Sequence, residues 1–200
     1  MPKFDPQNTL TGTRHHRRSI RLKGYDYSQA GGYYVTIVTW HRECLFGEVV
    51  NGEMVLNEYG KIANECWLAI PEHFPNVELG AYIIMPNHVH GIVVIRSNES
   101  PLTMKTVDDR RGAAMLRPYD EQNPHKTNVK PGSLGAIVRS YKSAVSYRIN
   151  KEHHATGIWQ RNYHERIIRN EREMDAIWRY IEANPVTWAD DEENPHHEKG

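Results

Sequence analysis

The stretch YIIMPNHVHGIVVI, Tyr82 to Ile95, decides how this chain is read. Its flanks are aliphatic and β-branched, and Pro86 and Asn87 interrupt it. Residues 77–85 (VELGAYIIM) and 88–96 (HVHGIVVIR) therefore read as two strands with a tight connection. Successive side chains on a strand point to opposite faces, so His88 and His90 share one face and Val89 takes the other. Gly91 is expected to leave room beside them. Two imidazoles so placed can give one divalent cation two nitrogen ligands, because an unperturbed pKa near ~6.5 leaves the ring neutral around pH 7. They can equally be two hydrogen-bonded or hydrated rings on a half-exposed sheet face, and the pair alone does not choose.

Outward from this hairpin, residues 31–40 (GGYYVTIVTW) read as a strand after a double glycine. Ile62, Cys66, Ala69 and Ile70 recur at helical spacing, with Asn57 as a candidate cap and Pro71 as a terminator. Leu134, Ile137, Val138, Tyr141 and Val145 form one stripe after Ser133, which predicts a helix to about Lys151. Residues 157–169 read as a strand. Residues 170–185 read as a helix with Asn170 at its cap, Glu173 at the capping-box position and Pro185 beyond its end. The order β-α-β-β-α-β plus a terminal helix is the ferredoxin-like split βαβ pattern, an α+β fold with one antiparallel sheet and two helices on one face. Many functions use that fold, so it does not by itself imply a chemistry.

The 200 residues suffice for one domain with a core. The organisation expected is a basic arm at 1–30, a catalytic domain at 31–188 with a mobile insertion at 97–132, and an acidic tail at 189–200. The insertion reading rests on four prolines and the loss of any hydrophobic period. Lys and Arg number 25, as do Asp and Glu, so the formal net charge is zero, which argues against a nonspecific polycation. Residues 14–23 nevertheless hold five Lys or Arg, an arm able to meet phosphates or simply to be solvated. No apolar run nears the ~18 residues of a membrane span, and no hydrophobic leader opens the chain. The two cysteines, Cys44 and Cys66, form no CxxC pair, so a disulfide framework is not expected. The expectation is a reduced, cytoplasmic, nucleoid-associated bacterial protein.

The terminal helix carries a second candidate group. Its stripe is Met174, Ile177, Trp178 and Ile181. At about 100° per residue, Tyr180 falls roughly 110° from the stripe's centre, and Asn184 lies one turn further along nearly the same line. The two can be a core-margin tyrosine and a capping asparagine. They can also be a phenol nucleophile beside an amide oxygen suited to Mg²⁺ or Mn²⁺.

The segments MPNHVHGI, IWQRNYHERIIRNE and YIEANP, in that order, resemble the single-tyrosine transposases of the His-hydrophobic-His endonuclease superfamily, in particular the REP-associated tyrosine transposases. The resemblance runs from about Tyr25 to Trp188, without residues 97–132. It implies a catalytic domain that nicks and rejoins single-stranded or hairpin DNA through a 5′-phosphotyrosine. It implies His88 and His90 as metal ligands, Tyr180 as nucleophile, Asn184 as a third ligand, and Mg²⁺ or Mn²⁺ as cofactor. The protein would be a monomer or homodimer with no membrane association. Arg139, Lys142, Arg161, Arg166, Arg169 and Arg172 are the basic candidates for DNA contact, with Tyr33, Tyr34, Trp40, Trp159 and Tyr163 for base stacking. Three other readings stay open: a replication initiator or relaxase, a noncatalytic nucleic-acid-binding module, and a zinc hydrolase recruiting His164.

Overall fold

The computed structural model describes residues 24–97, 129–191 and 193–195. Most of the basic arm and of the insertion lie outside the described residues.

Strands β1 (Gly31–Val38), β4 (Val77–Ile84), β5 (His88–Ile95) and β6 (His164–Ile168) form one sheet in the order β4-β5-β1-β6. All three adjacent pairs are antiparallel. Counting only these four strands, the order is 2-3-1-4, the ferredoxin-like arrangement expected from the sequence. Helices α1 (Glu58–Leu68) and α3 (Leu134–His153) cover one sheet face. There Tyr33, Val35, Ile37, Val89, Val93 and Ile95 form one buried cluster with Ile62, Trp67, Ile137, Tyr141 and Val145. Helix α4 (Glu171–Ala183) covers part of the other face, where Ile177 and Ile181 pack on Ile92. Burying each such side chain is worth about 1.5–3 kcal/mol, enough to hold a thirteen-residue helix that would not persist alone.

The caps follow the sequence. Asn57 accepts from Gly60 N at 2.9 Å, Ser133 from Ala136 N at 3.4 Å, and Asn170 from Glu173 N at 2.9 Å. Glu173 does not close a reciprocal box: its carboxylate accepts from Arg169 N at 2.8 Å and pairs with Arg166. Pro71 does not simply end α1. It opens a short further helix, α2 (Ile70–His73), in the first turn, where its missing N–H is no loss.

Three expectations change. Only residues 164–168 of the segment 157–169 form a strand. The preceding residues are irregular apart from one bridge, Thr39 to Trp159. A hairpin of β2 (Gly47–Val50) and β3 (Glu53–Leu56) was not anticipated. Its turn residues Asn51 and Gly52 have φ of 54° and 80°, the conformation that favours an Asn-Gly pair. Gly91 leaves its space on the core face, not beside the histidines, because it alternates with them. A Cβ there would lie 2.2 Å from Trp67 Cζ2. Gly91→Ala is accordingly expected to destabilise the fold by about 1–3 kcal/mol, the usual cost of overpacking. Urea denaturation measures this, and an unchanged midpoint would show that Trp67 can yield.

Candidate active site

The register of the sheet builds the floor of a cleft. On β1, Tyr34 and Thr36 lie opposite Ile92 and His90 of β5 on one side, and Arg166 and His164 of β6 on the other. These residues share the α4 face by strand alternation. A cleft of about 470 Å³ opens there, lined by Tyr34, Thr36, His90, His164 and Tyr180 and, from the segment after α4, Thr187, Asp190, Asp191 and Glu193.

His88 and His90 are buried, 0% and 3% exposed, with ring centroids 4.3 Å apart. His88 Nδ1 lies 2.9 Å from Asn87 Oδ1, while its Nε2 is buried without a hydrogen-bond partner. His90 Nδ1 lies 2.7 Å from Tyr34 Oη and 2.9 Å from Thr36 Oγ1. Its Nε2 is 3.5 Å from Tyr180 Oη. Burial pushes the pKa of His88 down to about 4 against the opposing pull of Asp191 and of the Asn184 side chain beside the ring, and burial likewise lowers that of His90. Both rings are thus neutral near pH 7, the state a cation ligand requires. The same burial holds Tyr34 well above the ordinary phenol range, so it keeps its proton.

Tyr180 comes from the open side of α4. It is 48% exposed, yet its ring meets His90 at 5.3 Å and Tyr34 at 6.3 Å between centroids. Asn184 is buried, 1% exposed. Its Nδ2 donates to Asp191 Oδ2 at 3.1 Å, and its Oδ1 has no hydrogen-bond partner. Asp191 is the residue that sequence reading missed. It belongs to the stretch read as an acidic tail, but the chain turns back after α4 through a 3-10 turn at Trp188–Asp190. That turn brings ligand atoms of His88, His90 and Asp191 within 4.8 Å of one another. No local spacing marks Asp191, because the contact depends on that turn. The boundary drawn at 188/189 therefore falls within a packed segment, in which Glu193 also pairs with Arg42 at 3.0 Å.

These residues fit a divalent cation. A buried polar atom left unpaired costs about 1–3 kcal/mol, and His88 Nε2 and Asn184 Oδ1 are two such lone pairs beside the Asp191 carboxylate. Imidazole nitrogens together with carboxylate and amide oxygens suit Mn²⁺ or Mg²⁺. His164 lines the cleft but is not part of the three-residue group.

The basic candidates divide. Arg166 points to the cleft face but is tied to Glu173, Nε donating to Oε1 at 2.9 Å. Arg169 and Arg172 flank the start of α4, around a second cavity of about 320 Å³. Arg161 is exposed before β6. Arg139 and Lys142 belong to α3 on the opposite sheet face. The Lys142 ammonium, its pKa lowered to about 8 by burial, donates to the carbonyls of Gln160, Arg161 and Asn162. Of the aromatic candidates Tyr33 is fully buried, Trp40 is 47% exposed, and Trp159 and Tyr163 pack against the core.

Fold and cleft together define an α+β domain with a paired-histidine and tyrosine site on the face opposite its main core. No family model matches the chain. It belongs to one family with an uncharacterized protein of Haemophilus influenzae (strain ATCC 51907 / DSM 11121 / KW20 / Rd), 39% identical over 180 residues that cover 89% of this chain and 93% of that protein. A second protein of that strain, named "Putative REP-associated tyrosine transposase", is 24% identical over 161 residues, 80% of this chain and 73% of its own. Among solved structures, a REP-associated tyrosine transposase bound to a REP hairpin shares the fold. Its TM-score is 0.52 at 17% identity, covering 84% of this chain and 73% of that one. The resemblance to the REP-associated tyrosine transposases carried by MPNHVHGI and YIEANP is thereby borne out. No helix among the described residues is long and apolar enough to cross a membrane.

Proposed function

We propose that this protein is a divalent-cation-dependent transposase that cleaves and rejoins single-stranded DNA at hairpin ends, with Tyr180 as nucleophile. The observation that carries the proposal is the convergence of Tyr180 with His90, 3.5 Å apart from elements ninety residues distant in sequence, at a cleft that also gathers His88 and Asp191. A binding module has no need of a half-exposed phenol against buried, neutral imidazoles. The solved structure bound to a REP hairpin supports this choice of substrate class.

In this reading His88, His90, Asp191 and the Asn184 amide oxygen would hold Mn²⁺ or Mg²⁺, which supplies Lewis-acid stabilisation of the charge developing on the scissile phosphate. Asp190, Asp191 and Glu193 line the cleft, so a phosphodiester would be repelled from it unless a cation stood between. Tyr180 Oη bonds to phosphorus as the P–O3′ bond breaks; the phenol gives up its proton and the 3′ oxygen takes one up. The product is a 5′-phosphotyrosine and a free 3′-hydroxyl. Phenolate leaves more readily than alkoxide, so a second 3′-hydroxyl can reverse the step, joining strands without ATP. In this reading Arg166, Arg169 and Arg172 would meet the flanking backbone, and Trp40, 47% exposed, would stack an unpaired base.

Labelled single-stranded DNA carrying a hairpin, incubated with the full chain and Mn²⁺, is expected to give a protein–DNA adduct that survives a denaturing gel and disappears with EDTA. Cleavage without an adduct would indicate a hydrolase, and binding without cleavage a recognition module; either result would overturn the proposal.

A further inference from the structure

One buried amide, that of Asn87, makes three hydrogen bonds whose directions can be assigned without ambiguity. Asn87 is fully buried. Its Nδ2 lies 3.0 Å from Arg42 O and 2.6 Å from Glu193 O. Both partners are backbone carbonyls, which only accept. Both amide N–H bonds are therefore used, and a flipped amide would set its oxygen against two carbonyl oxygens. Oδ1 must then be the atom 2.9 Å from His88 Nδ1. An amide oxygen also only accepts, so Nδ1 carries the proton. A neutral imidazole has a single N–H, and Nε2 is left with its lone pair. That Nε2 is the buried atom without a hydrogen-bond partner.

The connection itself is fixed. Thr39 N donates to Asn87 O at 2.8 Å, Phe46 N to Pro86 O at 2.9 Å, and Met85 N to His88 O at 2.8 Å. His90 differs, because its Nδ1 faces two hydroxyls that can each donate or accept. Those partners permit either tautomer.

We propose that Asn87 is a positioning residue that locks His88 in the Nδ1–H tautomer and so presents its Nε2 lone pair to the cation. The same amide ties this lock to the docked segment that brings in Asp191, since it also holds Glu193 O, and Glu193 N donates to Asp191 Oδ1 at 2.7 Å. The inference rests on the cation site proposed above and deepens it. A hydrogen-bonded partner that fixes a ligating histidine typically changes metal affinity 10–100-fold.

The test uses the metal-free, full-length protein labelled with ¹⁵N at histidine, at pH 8. The long-range ¹H–¹⁵N spectrum is expected to show the His88 proton on Nδ1; a proton on Nε2, or an even mixture, overturns the lock. Mn²⁺ binding, followed by the EPR signal of the free ion, is expected to weaken about 10–100-fold in Asn87→Ala. Unchanged affinity in a folded Asn87→Ala overturns the positioning role. Should that variant fail to fold, the wild-type spectrum still decides the tautomer. Wild type that takes up no more Mn²⁺ than His88→Ala defeats the cation site itself. A His88 proton on Nε2 with Mn²⁺ uptake intact defeats only the lock.

Discussion

Tyr180→Phe is expected to bind hairpin DNA with wild-type affinity and to form no covalent adduct. The substitution removes one oxygen from a side chain that is 48% exposed at the cleft mouth. Neither Ile177 nor Ile181 of the same helix, which anchor α4 on Ile92, is touched, so thermal stability should hardly move. The ring contacts with His90 and Tyr34 survive the change. What is lost is the only atom able to bond to phosphorus in the proposed reaction, so cleavage should drop to background and not to a fraction. Gel shift and denaturing gel, run on the same sample, separate binding from chemistry. An adduct persisting in Tyr180→Phe would remove Tyr180 from the mechanism.

His88→Ala is expected to abolish cleavage and weaken Mn²⁺ binding by at least the 10–100-fold typical of losing a supporting partner, since here a ligand itself is removed. Most DNA affinity should remain, because Arg166, Arg169 and Arg172 lie elsewhere, with some loss where the carboxylates of Asp190, Asp191 and Glu193 are left without the cation that offsets them. Some loss of stability is expected from the vacated volume and the unpaired Asn87 Oδ1, about 1–3 kcal/mol for a buried polar atom left without its partner. Circular dichroism and DNA binding therefore accompany the activity measurement. A variant that unfolds outright would identify His88 as a core histidine.

Much of this site was legible in the sequence because it depends on local periods. Strand alternation put His88 and His90 on one face, and helical phase set Tyr180 apart from Ile177 and Ile181, the buried residues of α4, although Trp178 of the same stripe is 42% exposed. Asn57, Ser133 and Asn170 announced three helix starts through their residue types alone. The β2–β3 hairpin was legible too, through Asn51-Gly52, a signal passed over. Gly91 was misplaced by one face, although the alternation that paired the histidines also assigns it to Trp67. Asp191 lies beyond any such rule. It reaches His88 only because the chain reverses after α4, and a run of Asp and Glu in sequence reads as a solvated end. Lys142 likewise looked like a free cation, since nothing local shows that three carbonyls from residues 160–162 converge on its ammonium.

The central claim is that Tyr180 becomes covalently linked to a 5′ phosphate. Peptide mapping by mass spectrometry of the adduct formed with hairpin DNA and Mn²⁺, after nuclease trimming, tests it most directly. The account predicts a nucleotide remnant joined through its 5′ phosphate to Tyr180. A remnant on another residue, or one joined through a 3′ phosphate, would contradict it.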